Sequence, residues 1–262
     1  MTAAIRLTFS EEVREEREER DCMRVVAIIQ ARMGSTRLPG KVLKDLAGAT
    51  VLERVVSRLR RCRLVSEAVV ATSTEPVDDV IVNECQRLGT NAFRGSEQDV
   101  LDRYYRAALQ AGAEVVVRIT SDCPLIDPGV SDKTIRAFLT ERPDYASNAL
   151  ERTYPRGLDT EVITFAALEC AWAEARQPHQ REHVTPFLYQ HPERFKILSV
   201  KGDHDYSQYR WTLDTPEDLE FLRAVYARSV DRQDLTWQDV LNIVEREPEL
   251  AEINRHVVQK TI

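Results

Sequence analysis

Long apolar runs are missing from this chain. No stretch of its 262 residues approaches the roughly 18 apolar residues that a membrane helix needs. The first 22 residues are acidic and arginine-rich, unlike the apolar segment of a secretory signal. Cysteine is sparse and unpatterned. Cys22, Cys62, Cys85, Cys123 and Cys170 are odd in number and contain no C-x-x-C spacing. That excludes a disulfide framework and a cysteine zinc site, and it reads as free thiols in a reducing cytoplasm. Excess positive charge is also missing. The formal net charge is −7, and residues 11–21 contribute −4 of it through seven acids and three arginines. Nothing in this balance points to nucleic-acid binding, so anionic ligands must be drawn in by local basic clusters. Two common phosphate loops are absent as well. There is no G-x-G-x-x-G, and the Walker A pattern fails because Gly34 and Gly40 enclose five residues and Val42 follows Lys41. Internal repeats and low-complexity linkers are lacking too.

What remains is ordinary globular material, 43% hydrophobic and 30% charged. Residues 10–21 read as an exposed helix with weak ion pairs or as disorder, and Met23, just before the first core strand, is a candidate natural start. From there strands and helices alternate. Strands are expected at Val25–Ala31, Glu67–Thr72, Ala92–Phe93 and Glu114–Thr120. Helices are expected at Val51–Cys62, Val77–Leu88, Val100–Ala111 and Ser131–Thr140. The near-continuous apolar run from Val115 to Ile119 suits a strand buried on both faces. This alternation indicates βαβ units and a mostly parallel sheet. The later pattern is looser: strands at Thr160–Thr164, Lys196–Val200 and Tyr209–Leu213, and helices at Ala166–Arg176, Arg181–Tyr189, Pro216–Ala227 and Trp237–Glu245. One domain is expected over 23–262, with an acceptor-side insertion near 143–205 and a charged leader over 1–22.

The most informative stretch runs from Gln30 to Lys41. A strand feeds a loop with three fixed cations, Arg32, Arg37 and Lys41, separated by Gly34, Ser35, Thr36 and Gly40. Small residues let backbone N–H groups approach phosphate oxygens, and guanidinium forks and an ammonium reach the same oxygens from the side. On composition alone, a basic surface turn remains the alternative. Two further strand ends carry aspartates. Asp122 follows Val115–Thr120, where open parallel sheets place their ligand crevice; a turn-forming Asp before Pro124 is the alternative. Asp214 precedes Thr215, the N-cap of the helix that Pro216 opens, so capping does not account for it.

The string Gln30-Ala31-Arg32-x-Gly34-Ser35-x-Arg37-Leu38-Pro39-x-Lys41 resembles the opening motif of the sugar-activating cytidylyltransferases, closest to the branch of the spore coat polysaccharide biosynthesis protein F. Arg118-Ile119-Thr120-x-Asp122-Cys123-Pro124 resembles that family's central motif, and Thr212-x-Asp214-Thr215-x-Glu217-Asp218 its late motif. The resemblance covers roughly residues 24–222 and leaves out the leader and the last 35 or so residues. It implies a three-layer α/β, Rossmann-like (GT-A-type) fold with a mostly parallel mixed sheet flanked by helices. It further implies transfer of CMP from CTP to an acidic sugar or similar anionic acceptor, with pyrophosphate released.

On that resemblance Arg32, Lys41 and Asp122 are catalytic. Ala31, Arg32, Gly34, Ser35, Arg37, Lys41, Thr72, Gly95, Ser96 and Asp122 bind the nucleotide. Asp122 and Asp214 hold Mg²⁺, and Arg156, Asp159, Glu161 and Arg181 face the acceptor. Ser96 reads equally as a helix cap, and many relatives carry two aspartates where this chain has Ser73-Thr74. Family members are commonly dimers, so a homodimer stays open. Two alternatives share the type of fold: a phosphonate cytidylyltransferase, and a glycosyltransferase that consumes a nucleotide-sugar and would use Asp203 and Asp205. A third is a nucleotide-binding assembly partner without turnover. His179 and His183 have zinc-like spacing but no third ligand, and read as surface histidines.

Overall fold

The computed structural model describes residues 23–229 and 234–259, so the leader expected over residues 1–22 lies outside the described residues. The strands are β1 (Val25–Gln30), β2 (Glu67–Ser73), β3 (Asn91–Gly95), β4 (Val115–Thr120), β5 (Tyr145–Ser147), β6 (Glu161–Thr164) and β7 (Ile197–Ser199). The helices are α1 (Val51–Leu59), α2 (Asp79–Leu88), α3 (Val100–Gln110), α4 (Pro128–Glu141), α5 (Phe165–Glu174), α6 (Pro178–His183), α7 (Pro186–Tyr189), α8 (Pro216–Arg228), α9 (Trp237–Arg246) and α10 (Glu249–Glu252). The strands form one sheet in the order β3-β2-β1-β4-β6-β5-β7. β1 pairs in parallel with β2 and β4, and β2 with β3. β6 runs antiparallel to β4 and β5, while β5 and β7 are parallel. This is the mostly parallel sheet that the alternation indicated, and the mixed, helix-flanked α/β sheet that the resemblance implied. Residues 143–205 supply β5, β6 and β7 and so extend the same sheet.

β1 is buried on both faces because it sits inside the sheet with helices on either side. Val25, Ala27 and Ile29 pack with Leu52, Val55, Val56 and Leu59 of α1, Ile81 and Cys85 of α2, and Ile135 and Phe138 of α4. Val26 and Ile28 pack with Leu101, Tyr104 and Ala107 of α3 and Leu168 and Ala171 of α5. A third cluster joins Leu38 and Leu46 to Trp211, Leu213, Phe221, Leu222, Val240, Leu241 and Leu250. Through it α8, α9 and α10 pack against the end of the cationic loop. Among the described residues no helix is long and apolar enough to cross a membrane, and Cys62, Cys85, Cys123 and Cys170 are free thiols.

Three local expectations change. The helix expected over Arg181–Tyr189 is split into α6 and α7, because Val184 takes a left-handed φ of 72° and Pro186 cannot continue a helix. The strand expected at Tyr209–Leu213 makes only a single bridge, Arg156 with Arg210. β5 and α10 are three and four residues long, too short to leave a periodic signal.

Candidate active site

The chain builds β1, β2 and β3 outward in one direction and then returns to place β4 on the other side of β1. The carboxyl ends of β1 and β4 therefore diverge into loops at a switch in strand order, where open α/β sheets form their crevice. The backbone N–H of Ser121 donates to Gln30 O at 3.1 Å, so the loops start side by side. In the first loop, the N–H groups of Ser35 and Gly40 both donate to Met33 O, at 2.9 and 3.1 Å. Gly40 holds a left-handed φ of 65° and starts the short 3-10 turn Lys41–Leu43. The loop is anchored from beneath by buried Asp78, which accepts from Met33 N at 2.8 Å and from the Ser73 hydroxyl at 2.5 Å. The Ser73 hydroxyl thus serves this anchor.

Lys41 is the centre of the arrangement. Its Nζ donates at 2.8 Å to Asp122 Oδ2, Asp214 Oδ1 and the carbonyl of Leu213. The residues 81 and 172 positions away meet it because Leu213 N donates to Asp122 O at 2.8 Å, and Thr212 Oγ1 to the same oxygen at 3.2 Å. Asp214 Oδ2 faces two more cations, Arg37 Nη2 at 3.0 Å and Arg210 Nη2 at 2.8 Å. Burial pushes the Lys41 ammonium pKa down, but Asp122 and Asp214 outweigh it and hold it above its ordinary value. Burial likewise raises the Asp214 carboxyl pKa, yet Lys41, Arg210 and Arg37 outweigh it and hold it low.

Two carboxylate oxygens and one carbonyl converging on one ammonium form an all-oxygen cation cradle, with Lys41 as the stand-in cation. Mg²⁺ favours a few carboxylates supplemented by phosphate and water oxygens, so the donor set fits such an ion. Asp122 Oδ1 meets only the Cys123 thiol, at 3.6 Å, and stays accessible. Asp214 is the more heavily committed of the two. No cluster of three or more His, Cys, Asp or Glu side chains with metal-binding geometry occurs among the described residues.

Arg32 is exposed and makes no hydrogen bond or ion pair among the described residues. Gly34 lies against the segment after β3: a Cβ there would sit 3.6 Å from Glu97 Oε1. Gly95 closes β3, where a Cβ would come within 2.9 Å of the Phe93 ring. Ala31 and Thr72 are buried beside these elements, and the Thr72 hydroxyl has no hydrogen-bond partner among the described residues. Ser96 Oγ accepts from Asp99 N at 3.0 Å, but the helix cap expected of Ser96 falls to Asp99, whose Oδ1 accepts from Asp102 N at 2.9 Å.

On the acceptor side, Gly157 takes a φ of 110°, and a Cβ there would lie 2.7 Å from the backbone carbon of Trp211. Its missing side chain lets the 154–159 loop lie directly on residues 209–212, with Arg156 N donating to Tyr209 O and Trp211 N to Arg156 O. Arg156 is half-buried and its guanidinium has no carboxylate partner among the described residues. Burial and then Arg152 lower its pKa, though an arginine stays charged. The other three expected acceptor residues are already engaged. Asp159 takes a two-point contact from Arg152 at 2.5 and 2.7 Å. Glu161 is bound by Arg118, by Tyr145 Oη at 2.5 Å and by Thr185 Oγ1 at 2.7 Å. Arg181 is spent on Asp99, with Nη2 at 2.5 Å, and on Trp172 O at 2.6 Å, so it ties α6 to the start of α3. Asp159 and Glu161 act here as acceptors, and Arg181 as a donor, within the protein.

The cytidylyltransferase family model matches residues 26–243. The chain belongs to the cytidylyltransferase family. It is 34% identical to the spore coat polysaccharide biosynthesis protein SpsF of Bacillus subtilis, over 87% of this chain and 96% of that protein. It is 32% identical to the 3-deoxy-manno-octulosonate cytidylyltransferase of Anaeromyxobacter dehalogenans, over 78% of this chain and 98% of that one. The solved structure of a cytidylyltransferase from Leptospira borgpetersenii superposes with a TM-score of 0.85 at 33% identity, covering 91% of this chain and 100% of that one.

Sequence reasoning assigned no role to several residues that hold the candidate site's side chains in this cytidylyltransferase. Arg118 was legible in principle, since a charge inside the apolar run of β4 needs a buried partner, and the register places it opposite Glu161. Asp78, Arg152 and Arg210 carried no such signal. Asp203 and Asp205 are exposed, and Asp205 Oδ1 accepts from Ser207 N at 2.9 Å in a turn. His179 bonds Gln190 and lies in no metal cluster.

Proposed function

We propose that this cytidylyltransferase joins CMP from CTP to an acidic sugar or similar anionic acceptor, for polysaccharide or glycan assembly, with Asp122 and Asp214 holding Mg²⁺. The observation that carries the reading is Lys41 at 2.8 Å from both aspartates, with Arg37 on Asp214 and unpaired Arg32 on the same loop. Such a jaw presents cations to a triphosphate on one side and carboxylates on the other. The names of the SpsF and octulosonate relatives support a sugar-acid acceptor and a polysaccharide role.

In this reading the acceptor oxygen attacks the α-phosphorus and the bond to the β-phosphate breaks. Arg32, Arg37 and Lys41 hold the β- and γ-phosphate oxygens and neutralise the charge that grows on the leaving pyrophosphate. Lys41 exchanges its aspartate contacts for phosphate contacts, which frees Asp122 Oδ2 and Asp214 Oδ1. Asp122 and Asp214 would hold a magnesium ion, which would supply Lewis-acid stabilisation of the α-phosphate being transferred. Gly34, Gly95 and the backbone near Ala31 shape the nucleoside end, and Thr72 and Ser96 border it. Arg156, a half-buried guanidinium with no carboxylate of its own, holds the acceptor's carboxylate or phosphonate. Asp159, Glu161 and Arg181 fix the wall around it.

The test is pyrophosphate release with each of the four nucleoside triphosphates, with and without Mg²⁺, against sugar acids and phosphonates. CTP with a sugar acid should give the fastest metal-dependent release. Turnover with phosphonates alone would move the acceptor class, and release with another nucleotide only would overturn the reading.

A further inference from the structure

We propose that Asn254 is a positioning residue for the transfer reaction, acting from a C-terminal segment beyond the span that the family model matches. The inference rests on the reading above that Lys41, Asp122 and Asp214 form one jaw. Asn254 is 2% exposed, and its Nδ2 donates to Arg210 O at 3.0 Å and to Asp218 Oδ1 at 2.9 Å. Both partners are acceptors, so only the amide nitrogen can face them.

Those two contacts converge on the group that orients Asp214. Arg210 forks onto buried Asp218 through Nε and Nη2, both at 2.9 Å, and the same Nη2 reaches Asp214 Oδ2. Asp218 Oδ2 also accepts from the backbone N–H groups of Asp214 and Thr215, at 2.8 and 3.0 Å. The carboxylate that meets Lys41 is therefore held at its backbone by Asp218 and at its side chain by Arg210. Asn254 fastens both holders. The same segment touches the jaw twice more: Gln259 Oε1 accepts from Arg210 Nη1 at 2.6 Å, and Val258 O from Arg37 Nη1 at 3.5 Å.

A cavity of about 580 Å³ lies between this segment and residues 207–211, bounded by Arg210, Trp211, Ala251, Asn254 and Gln259. Polar contacts tie residues 254–259 to Arg210 and Arg37, while Val258 is 81% exposed. Without the Asn254 amide, Asp218 keeps four donor contacts, two of them from its paired cation Arg210. The fold should survive while Arg210 and Asp214 lose definition.

The test combines hydrogen exchange with a double-mutant cycle on the full chain. In Asn254→Ala, the amides of Leu213, Asp214 and Thr215 should exchange about tenfold faster while those of β1 and β4 stay unchanged. Pyrophosphate release with CTP should fall about tenfold, and Asn254→Ala with Asp214→Asn should be no worse than Asp214→Asn alone. Asn254→Asp keeps the shape but loses the donor and should match the alanine variant or exceed its loss. Unchanged exchange at 213–215, or losses that multiply in the double variant, overturns the proposal and leaves Asn254 a merely structural residue. If Asn254→Ala does not fold, Gln259→Ala carries the same two readouts in the same direction. Should the wild type release no pyrophosphate with any nucleotide, the reading of the reaction fails, while the exchange result still decides the role of Asn254.

Discussion

Lys41→Met keeps the length of the side chain and removes one charge. In the wild type that charge is shared among three oxygens at 2.8 Å, with the side chain 12% exposed. Losing a charge-assisted hydrogen bond costs about 1.5–3 kcal/mol, but the desolvation of the ammonium is recovered at the same time. Asp214 keeps Arg37 and Arg210. Asp122 loses its ion-pair partner, although its side chain is 24% exposed and water can reach it. The net destabilisation should therefore be about 2 kcal/mol, a fall of roughly 4–8 °C in the thermal midpoint for a chain of this size. The effect on transfer should be larger. A cation aimed at the charge that develops on the leaving group contributes on the order of 10²–10³ in kcat, about 2.7–4 kcal/mol. Continuous pyrophosphate detection at saturating CTP, with a thermal melt on the same sample, reads both. A kcat within about threefold of wild type would refute the placement of Lys41 on the triphosphate, whatever the melt showed.

Arg156→Ala should raise the KM for the acceptor by about 10- to 100-fold, the loss of one charge-assisted contact, and leave the KM for CTP within about threefold; steady-state kinetics with each substrate varied separates the two. Gly157→Ala should destabilise the fold by roughly 3 kcal/mol or more, because a Cβ at a φ of 110° would press on the Trp211 backbone; a denaturant melt checks it, and a neutral result would mean the loop can shift. Acid should weaken the protein through Asp214. Its folded carboxyl pKa is held below the ordinary value, so its contribution is complete above the unfolded pKa of about 3.9 and is lost as pH falls through the lower folded value. Asp214→Asn should therefore lose less stability than wild type between neutral pH and about pH 3, and parallel curves in urea melts would contradict this.

Much of the fold was legible because its signals are local. The apolar runs of β1 and β4 and the spaced apolar faces of α1 and α3 mark buried strands and amphipathic helices without help from tertiary contacts. The antiparallel extension was harder: β5 has three residues, and its pairing with β6 depends on a partner 14 or more positions away. At the site, the glycines and cations of the loop and the aspartates at strand ends could be read directly, since strand ends face the crevice. What could not be read was who meets whom. Glu161, Asp159 and Arg181 looked like free acceptor ligands, yet Arg118, Arg152 and Asp99 already hold them. The partners in these three pairs lie 7, 43 and 82 residues apart in sequence, and only the folded chain brings them together. The C-terminal segment showed the opposite error. It carried no motif, but Asn254 and Gln259 reach the group that orients Asp214.

Whether the loop and the two aspartates close on one triphosphate is tested most directly by a crystal structure with CTP and a divalent ion. The expected result is a triphosphate held by Arg32, Arg37 and Lys41, with the ion on Asp122 and Asp214 and Lys41 turned from the carboxylates to phosphate. A nucleotide bound away from the 31–41 loop, or bound there with Lys41 still between the aspartates and the ion elsewhere, would contradict it.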